Sequence, residues 1–348
     1  MNKPRRISPP RIIVENKLEE SVQTYLTSST PISNFHVDEA RCAAEFLTLN
    51  EYSKLYQEVF QFNGPSDPRR EKNRYIDVLP HPVHRVKLSV VDQDENSDYI
   101  NADLIPNNLL PGAKYSYIAA SAPLGESVRA DFWNMIWEKQ CSMILMLTDL
   151  VENHMPKAEV YWPSGDETVV FDNILVQSIV LPLQDEHFSI RKFRLTLQEG
   201  QENHGEEKAK ELIVTHLWFT AWPDHQVPYG SLVSYMETYR GYRDMMDVNH
   251  PILCHCSAGI GRTGSFIALD VILDSINSEH LSQSSNSEAD INVFQIVSKL
   301  RRYRMGMVQT KVQYIFIAKF LEFCLREGKL GVTLSLPVRP SPAELPPR

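Results

Sequence analysis

Hydrophobic residues form two successive patterns along this chain of 348 residues. From residue 75 to residue 214 they occur in short runs, which are typical of β-strands. The strands predicted from such runs lie at residues 115–120, 142–147, 169–171, 214–218 and 252–255, with a helix at 130–139. Beyond residue 262 the spacing becomes helical and predicts helices at residues 264–275, 293–303 and 311–326. Mixed strands followed by a helical C-terminal third indicate one α/β domain, or α+β in some schemes, over residues 35–326.

The segments around and within this domain differ in composition. Residues 1–34 are rich in Pro, Ser and Thr at both ends and predict a partly disordered extension with a short helix at 15–26. Apolar residues between 37 and 62 fit an amphipathic helix pair, and the polar run at 277–290 predicts an exposed loop. The Pro-rich tail, residues 327–348, is predicted to be disordered. Its Pro-Val-Arg-Pro run would suit an SH3-like partner, although a plain disordered tail is the favoured interpretation.

Composition and charge narrow the function classes. The formal net charge of −9 argues against nucleic acid as a partner, although it permits a local positive pocket. Five scattered cysteines, an odd count, do not form a disulfide framework and suit a reducing compartment. The longest apolar runs, such as residues 143–147, are far shorter than the ~20 residues that cross a bilayer. Because no apolar segment follows the basic N-terminus either, we expect a cytoplasmic protein without a membrane span.

A short apolar strand at residues 252–255 leads directly into Cys256, a glycine-rich loop and a helix that starts near Thr263. Glycines allow the backbone N–H groups of such a loop to curl towards one point, and the positive end of the following helix adds to their field. These glycines are Gly259, Gly261 and Gly264. The loop therefore predicts an anion site that begins at Cys256.

Arg262 and Cys256 give this site its predicted chemistry. The planar guanidinium of Arg262 can hold two oxygens of a phosphate. A cysteine beside a helix N-terminus and a cation ionises readily, and the thiolate is the nucleophilic form. We therefore expect Cys256 to attack a bound phosphoryl group and to be oxidised readily by peroxide. The Thr263 hydroxyl would stabilise the thiolate as it leaves.

A buried cysteine is more often a small hydrophobic residue than a nucleophile. We favour that interpretation for Cys254, which we expect to point away from Cys256. A metal site formed by this pair is disfavoured because no other ligands flank it. At Cys256 the preceding strand, the loop glycines and the following helix all favour the nucleophile.

The run His-Cys-Ser-Ala-Gly-Ile-Gly-Arg-Thr-Gly at residues 255–264 is identical to the signature of tyrosine-specific (classical) cysteine-based protein-tyrosine phosphatases. The chain resembles the non-receptor type of this family from about Phe35 to Arg326. The resemblance implies a single domain with a twisted, mixed central sheet flanked by helices, and it implies no metal and no cofactor. It also implies that the loop residues bind phosphate: Ser257, Ala258, Gly259, Ile260 and Gly261.

Two further motifs resemble catalytic loops of this family. The Trp-Pro-Asp run that ends at Asp224 is similar to its mobile acid loop. The likeness implies that Asp224 protonates the tyrosine oxygen and later accepts a proton from water. An Asp beside Pro is otherwise a common turn residue. Residues 306–314 resemble the family's glutamine loop, in which Gln309 would position the hydrolytic water and Gln313 would assist.

Substrate selection is implied by residues 72–75, which match the family's phosphotyrosine-recognition loop. Tyr75 would stack on the substrate ring, and a pocket walled in this way leaves phosphoserine out of reach of the thiolate. Asp77 would hold the substrate backbone, and Lys157 would pair with the Asp of the closed acid loop. Taken alone, Tyr75 fits a partly buried tyrosine and Lys157 a solvated lysine.

Three departures from the family's pattern bear on efficiency and substrate range. Ser121 and Ala122 replace a Gln-Gly pair, and Pro82 stands at the position of an Asp. His225 and Gln226 replace a Phe-Gly pair directly after the predicted acid. They leave the chemistry itself unchanged.

Together the motifs predict hydrolysis of phosphotyrosine in proteins through a covalent cysteinyl-phosphate, in tyrosine-phosphorylation signalling. Phosphotyrosine-containing proteins are the expected partners. One alternative keeps the chemistry but acts on dual-specificity or phosphoinositide substrates, which Tyr75 disfavours. Another is a pseudophosphatase that binds phosphotyrosine without turnover, which the intact set of Cys256, Arg262, Asp224 and Gln309 disfavours.

Overall fold

The computed structural model of the chain describes residues 9–198, 211–222, 229–281 and 290–332. The α-helices are α1 (Pro9–Thr27), α2 (Glu39–Tyr56), α3 (Gly125–Glu138), α4 (Tyr229–Arg243), α5 (Arg262–Leu281), α6 (Val293–Tyr303) and α7 (Lys311–Glu327). The strands are β1 (Thr30–Pro31), β2 (Arg85–Lys87), β3 (Tyr99–Ile105), β4 (Tyr117–Ala120), β5 (Met143–Met146), β6 (Val151–Glu152), β7 (Met155–Pro156), β8 (Thr168–Phe171), β9 (Ile174–Gln184), β10 (Phe188–Leu197), β11 (Glu211–Phe219), β12 (Ile252–His255) and β13 (Asp290–Ile291).

Nine strands form one mixed sheet in the order β2-β3-β4-β12-β5-β11-β10-β9-β8. The central strands β4, β12, β5 and β11 run parallel to one another. The outer strands pair antiparallel. All four residues of β12 are buried, as its apolar run requires in a strand covered on both faces. Because β12 lies in the middle of the sheet, the residue that follows it, Cys256, comes to the carboxyl edge of the parallel strands.

Alternate residues of β12 join two separate hydrophobic cores, because successive side chains on a strand face opposite ways. Ile252 and Cys254 belong to the larger core, with residues from α1, α2 and α4 to α7. Leu253 belongs to the smaller core, with residues from α3. Helices therefore cover both faces of the sheet, which confirms the predicted α/β class.

Most predicted elements coincide with the observed ones; one prediction is wrong, and the first bound of another differs. The helix pair predicted between residues 37 and 62 is the single helix α2, after which the chain is irregular. The loop predicted at 277–290 begins inside α5, where Asn277 Nδ2 donates to the Leu330 carbonyl at 3.2 Å.

Parts of the predicted termini and loops lie outside the described residues. These parts are residues 1–8, residues 282–289 and, in the Pro-rich tail, residues 333–348. Within the tail, Leu330 and Val332 are buried, so the described chain packs on the domain as far as Val332.

Candidate active site

The loop after β12 carries Cys256 and ends at Arg262, the first residue of α5. Its carbonyl groups accept hydrogen bonds from the surrounding scaffold. The Ser257 carbonyl accepts from Ala122 N (3.0 Å), the Ala258 carbonyl from Arg304 Nη2 (3.0 Å), the Gly259 carbonyl from Arg304 Nε (2.9 Å), the Ile260 carbonyl from Val308 N (2.9 Å) and the Gly261 carbonyl from Ser265 N (2.9 Å). A trans peptide points its N–H away from its C=O, so the N–H groups turn to the inside of the loop. The loop therefore has the form of an anion site above Cys256.

Arg304 is the scaffold residue that holds two of these carbonyl groups, and it is fully buried. Its Nη1 lies 2.7 Å from Asp103 Oδ2, and its Nη2 lies 2.8 Å from Asn101 Oδ1. Burial raises the pKa of Asp103 to about 6, although the charge and hydrogen bonds of Arg304 oppose that rise. Arg304 therefore ties the anion loop to β3 through a buried ion pair.

Gly259 is required by the close contact between the loop and β4. Its φ is +71°, and a Cβ at this position would lie 2.1 Å from the carbonyl oxygen of Ala120. Every other residue would clash there with backbone that cannot move aside. The glycine predicted to shape the loop thus also lets it pack against the sheet.

The anion loop forms the floor of a cavity of about 330 Å³. The predicted site residues that line it are Tyr75, Asp77, Lys157, Cys256, Ser257, Ala258, Gly261, Arg262, Gln309 and Gln313. Gly259 and Ile260 do not line it, since they pack against the scaffold behind the loop. The cavity is also lined by residues that the sequence did not indicate: Val78, Thr148 and Glu152.

Arg262 is held at the cavity by an acidic partner on the β6–β7 hairpin. Its Nη1 donates to Glu152 Oε1, and its Nη2 donates to Glu152 Oε2 at 2.8 Å. Thr148 Oγ1 accepts from Nη1 at 3.3 Å. Burial acts to raise the pKa of Glu152, but the hydrogen bonds and charge of Arg262 outweigh it and hold that pKa below its usual value. The guanidinium fork therefore has one fixed orientation.

Two hydroxyl groups fix one wall of the cavity. Ser257 Oγ donates to the carbonyl of Lys157 at 2.7 Å, so it accepts from the Tyr75 hydroxyl, which lies 2.8 Å away. The Tyr75 ring is half-buried against the larger core. Tyr75 therefore stands beside the anion loop in a defined position, and the exposed Asp77 follows two residues later.

The segment that carries Gln309 and Gln313 forms a cap for α7. Gln313 Oε1 accepts from the backbone N–H of Gln309 at 3.0 Å and of Thr310 at 3.2 Å. The amide nitrogen of Gln313 is turned to the anion loop, since a Cβ on Gly261 would lie 2.7 Å from it. Val308 has a φ of +59°, a conformation that is rare for a β-branched residue and costs of order 1–3 kcal/mol.

A buried hydrogen-bond chain joins β11 to the carbonyl of Cys256. His255 Nδ1 lies 3.1 Å from the Cys256 carbonyl, and burial lowers the pKa of His255 to about 4, so its neutral ring carries the proton on Nδ1. His255 Nε2 then accepts from the Tyr161 hydroxyl at 2.7 Å. The Tyr161 oxygen in turn accepts from His216 Nε2 at 2.9 Å. This tautomer leaves His216 Nδ1 as a buried acceptor, and it has no partner within the described residues.

Cys254 faces the same side of the sheet as Cys256, because residues two apart on a strand point the same way. Both belong to the larger core, so the prediction that Cys254 points away from Cys256 is wrong. Burial raises the pKa of Cys254 well above its ordinary value, the proximity of Cys256 adds to the rise, and the nearby Thr263 hydroxyl opposes it. Thr263 Oγ1 is buried and forms no hydrogen bond within the described part of the chain. Its predicted contact with the Cys256 thiolate stays a prediction.

Asp224, the predicted acid, lies outside the described residues. The described chain before it ends at Trp222, whose ring centroid lies 5.5 Å from that of Phe316 on α7. The chain resumes at Tyr229, which stacks on Phe323 of the same helix at 5.1 Å. The role of Asp224 and its pairing with Lys157 stay predictions.

Four residues that build the site were missed from the sequence: Glu152, Tyr161, His216 and Arg304. None of them lies in a run with an unusual composition. Arg is mostly exposed and His is intermediate in folded proteins, so a pattern of polar and apolar positions does not reveal that these residues face a core. His216 lies on β11, two strands from β12, whereas Glu152 lies on the β6–β7 hairpin and Arg304 follows α6, so only the tertiary fold brings these residues around Cys256.

A cysteine at the base of a loop whose carbonyl groups turn outward, with an arginine at the start of the next helix, is the arrangement expected of a cysteine-based phosphate site. The model of the protein-tyrosine phosphatase family matches residues 69–322, well over half of the chain. This chain therefore belongs to the protein-tyrosine phosphatase family of enzymes, which confirms the predicted family.

Curated relatives of this chain are receptor-type tyrosine phosphatases. Receptor-type tyrosine-protein phosphatase eta of Homo sapiens is 39% identical over 270 residues, which cover 75% of this chain and 18% of that protein. The eta protein of Gallus gallus is 37% identical over 264 residues, covering 75% of this chain and 17% of that protein. Receptor-type tyrosine-protein phosphatase C of Mus musculus is 37% identical over 269 residues, covering 76% of this chain and 19% of that protein.

The chain thus spans less than a fifth of the length of these relatives. The matched region corresponds to a phosphatase domain, so the non-receptor part of our prediction stays a prediction. None of the helices among the described residues is long and apolar enough to cross a bilayer.

Proposed function

We propose that this chain hydrolyses phosphotyrosine in proteins through a covalent cysteinyl-phosphate, as part of tyrosine-phosphorylation signalling in the cytoplasm. The observation that best supports this is the anion loop, whose carbonyl groups are bound on the outside so that its N–H groups turn inward over Cys256. Arg262, fixed by Glu152, adds a fork for two phosphoryl oxygens. Such preorganised donors stabilise the charge that spreads over a phosphoryl group in transfer.

The reaction proceeds in two steps that share one intermediate. In the first, the Cys256 thiolate attacks phosphorus, the S–P bond forms, and the bond to the tyrosine oxygen breaks as Asp224 gives that oxygen a proton. In the second, water that Gln309 orients attacks phosphorus while Asp224 accepts its proton. The S–P bond then breaks, inorganic phosphate leaves and the thiolate is restored.

The wall formed by Tyr75 favours an aryl phosphate. Its ring position is set by the hydrogen bond to Ser257, so it can flank the aromatic ring of a substrate. Asp77, exposed at the mouth of the cavity, would bind the backbone N–H groups of a substrate peptide. Phosphotyrosine-containing proteins are thus the proposed substrates.

The test compares hydrolysis of a phosphotyrosine peptide, a phosphoserine peptide and a phosphoinositide. We expect the phosphotyrosine peptide to be hydrolysed at least about tenfold faster, as a site selective for the ring requires. Cys256→Ser should lose turnover but retain phosphopeptide binding. Turnover that survives in Cys256→Ser, or a preference for one of the other substrates, would refute the proposal.

Oxidation offers a second test of the thiolate. Peroxide should inactivate the wild-type enzyme at neutral pH, and a thiol reductant should restore it, since the first oxidation product of a thiolate is reversible. Resistance to peroxide would count against an ionised Cys256.

A further inference from the structure

Three exposed apolar residues adjoin residues that line the cavity, on three separate elements. Ile76 lies between Tyr75 and Asp77 and is 87% exposed. Met155, on β7, is 62% exposed, and Val312, in the first turn of α7, is 57% exposed. We call these three residues the apolar rim. Large apolar side chains that stay in water beside a binding cavity mark a surface that a partner covers.

Each residue of the apolar rim is tied to the cavity by its neighbours. Both residues that flank Ile76 line the cavity. Met155 pairs with Glu152 across the β6–β7 hairpin, and directly opposed residues project from the same face of a strand pair. Because Glu152 lines the cavity, Met155 faces that side as well. Val312 directly precedes Gln313, another lining residue.

We propose that the apolar rim binds aliphatic or aromatic side chains that flank the phosphotyrosine of a substrate. This inference rests on the proposed function, because it assigns the occupant of the rim from the occupant of the cavity. A peptide that places phosphotyrosine in the cavity must pass over the mouth, where it removes the rim from water. Acidic flanking residues gain no apolar contact with the rim, and Asp77 beside Ile76 repels them. The substrate class is therefore phosphotyrosine in an apolar sequence context.

Three phosphotyrosine peptides of equal length test the inference, with Leu, Ala or Glu on both sides of the phosphotyrosine. The measured quantity is kcat/KM for each peptide divided by kcat/KM for p-nitrophenyl phosphate, which is too small to reach the rim. For the wild-type enzyme we expect this ratio to be about tenfold higher with Leu than with Glu, the amount that partial burial of a few apolar side chains provides.

Matched variants locate the effect. Ile76→Ser and Met155→Gln should each lower the preference for Leu over Glu by about threefold or more, since each removes part of the apolar contact. Met245→Gln is the control, because Met245 is 75% exposed but lies in the turn after α4 and does not line the cavity. It should leave the preference unchanged.

The outcomes separate the two proposals. Equal ratios for the three peptides, a preference for Glu, or a preference that Ile76→Ser and Met155→Gln leave intact would overturn the role of the rim while p-nitrophenyl phosphate is still hydrolysed. A wild-type enzyme that hydrolyses neither p-nitrophenyl phosphate nor any of the peptides would overturn the proposed function, and the role of the rim with it.

Discussion

Replacement of Arg304 by Met should remove the hydrogen bonds that support the anion loop and destabilise the whole domain. Arg304 and Asp103 are both fully buried, and the two residues form an ion pair of 2.7 Å. Removal of one member of a buried pair typically costs about 3–5 kcal/mol, because the other charge stays behind without a partner. We therefore expect Arg304→Met to lower the free energy of unfolding by about that amount at pH 7.5.

The destabilisation should depend on pH, and its sign follows from Asp103. Burial has already raised the pKa of this carboxyl from 3.8 to about 6, and the loss of Arg304 raises it further. A carboxyl with a raised folded-state pKa contributes stability at low pH and loses it as pH rises through that pKa. From pH 7.5 to 5.5 the variant should regain up to about 2.7 kcal/mol, and the wild type less than about 1 kcal/mol. The difference in free energy of unfolding between the wild type and Arg304→Met should thus narrow by about 2 kcal/mol.

Urea unfolding at pH 7.5 and 5.5 measures the gap between the two proteins directly. The control is Arg304→Met combined with Asp103→Asn, which removes the titrating group. In that protein the difference from the wild type should no longer narrow as pH falls. A gap between wild type and Arg304→Met that stays constant, or widens, at pH 5.5 would refute the reasoning that Asp103 is the charge left behind.

Three further substitutions test other parts of the site. Glu152→Gln keeps the shape of the partner of Arg262 but removes its charge, so kcat/KM for a phosphotyrosine peptide should fall about tenfold while the urea midpoint stays close to that of the wild type; an unchanged kcat/KM would show that Arg262 needs no acidic partner. Gly259→Ala brings a Cβ to 2.1 Å from the Ala120 oxygen and should cost more than about 2 kcal/mol in urea unfolding, whereas Gly230→Ala, whose Cβ meets nothing within 4 Å, should cost nothing. His216→Leu removes the donor to Tyr161 and should move the acidic limb of the kcat/KM–pH profile to higher pH, whereas His216→Gln can still donate and should restore it; identical profiles for the two variants would argue against the hydrogen-bond chain.

The elements that local patterns determine were predicted well. Strand β12 and helix α6 have the predicted bounds, because each is a continuous apolar or amphipathic run with clear ends. The segment after Tyr56 was predicted to be helical from its apolar residues. Those residues instead pack on the sheet, with Phe60 at 4.9 Å and Phe62 at 6.0 Å from the Tyr99 ring. Contacts that distant in sequence leave no periodic signal.

The residues of the candidate site also divide into those that lie in contiguous motifs and those that come from distant parts of the chain. The anion loop, the glutamine segment and Tyr75 lie in contiguous motifs, so the sequence named most of the residues that line the cavity. Glu152 and Arg304 hold Arg262 and the loop from other parts of the chain. Their roles depend on how the β6–β7 hairpin and the segment after α6 pack against the anion loop, and residue types alone do not encode that packing. The predicted orientation of Cys254 was wrong, because the two-residue repeat of a strand puts its side chain on the same side as that of Cys256.

Hydrogen bonds turn the loop carbonyl groups outward and fix the loop in the folded state. Binding of an anion in the cavity is therefore coupled to the folding equilibrium, and the stability of the domain reports that binding. The donors are oriented when the chain folds, so an oxyanion such as vanadate meets a site that needs no rearrangement. An anion that binds only the folded state at 100 times its Kd adds about 2.7 kcal/mol to the free energy of unfolding. A substitution behind the loop, far from solvent, should therefore reduce the rise in melting temperature that vanadate produces, and a thermal shift would report the geometry of the loop without any turnover.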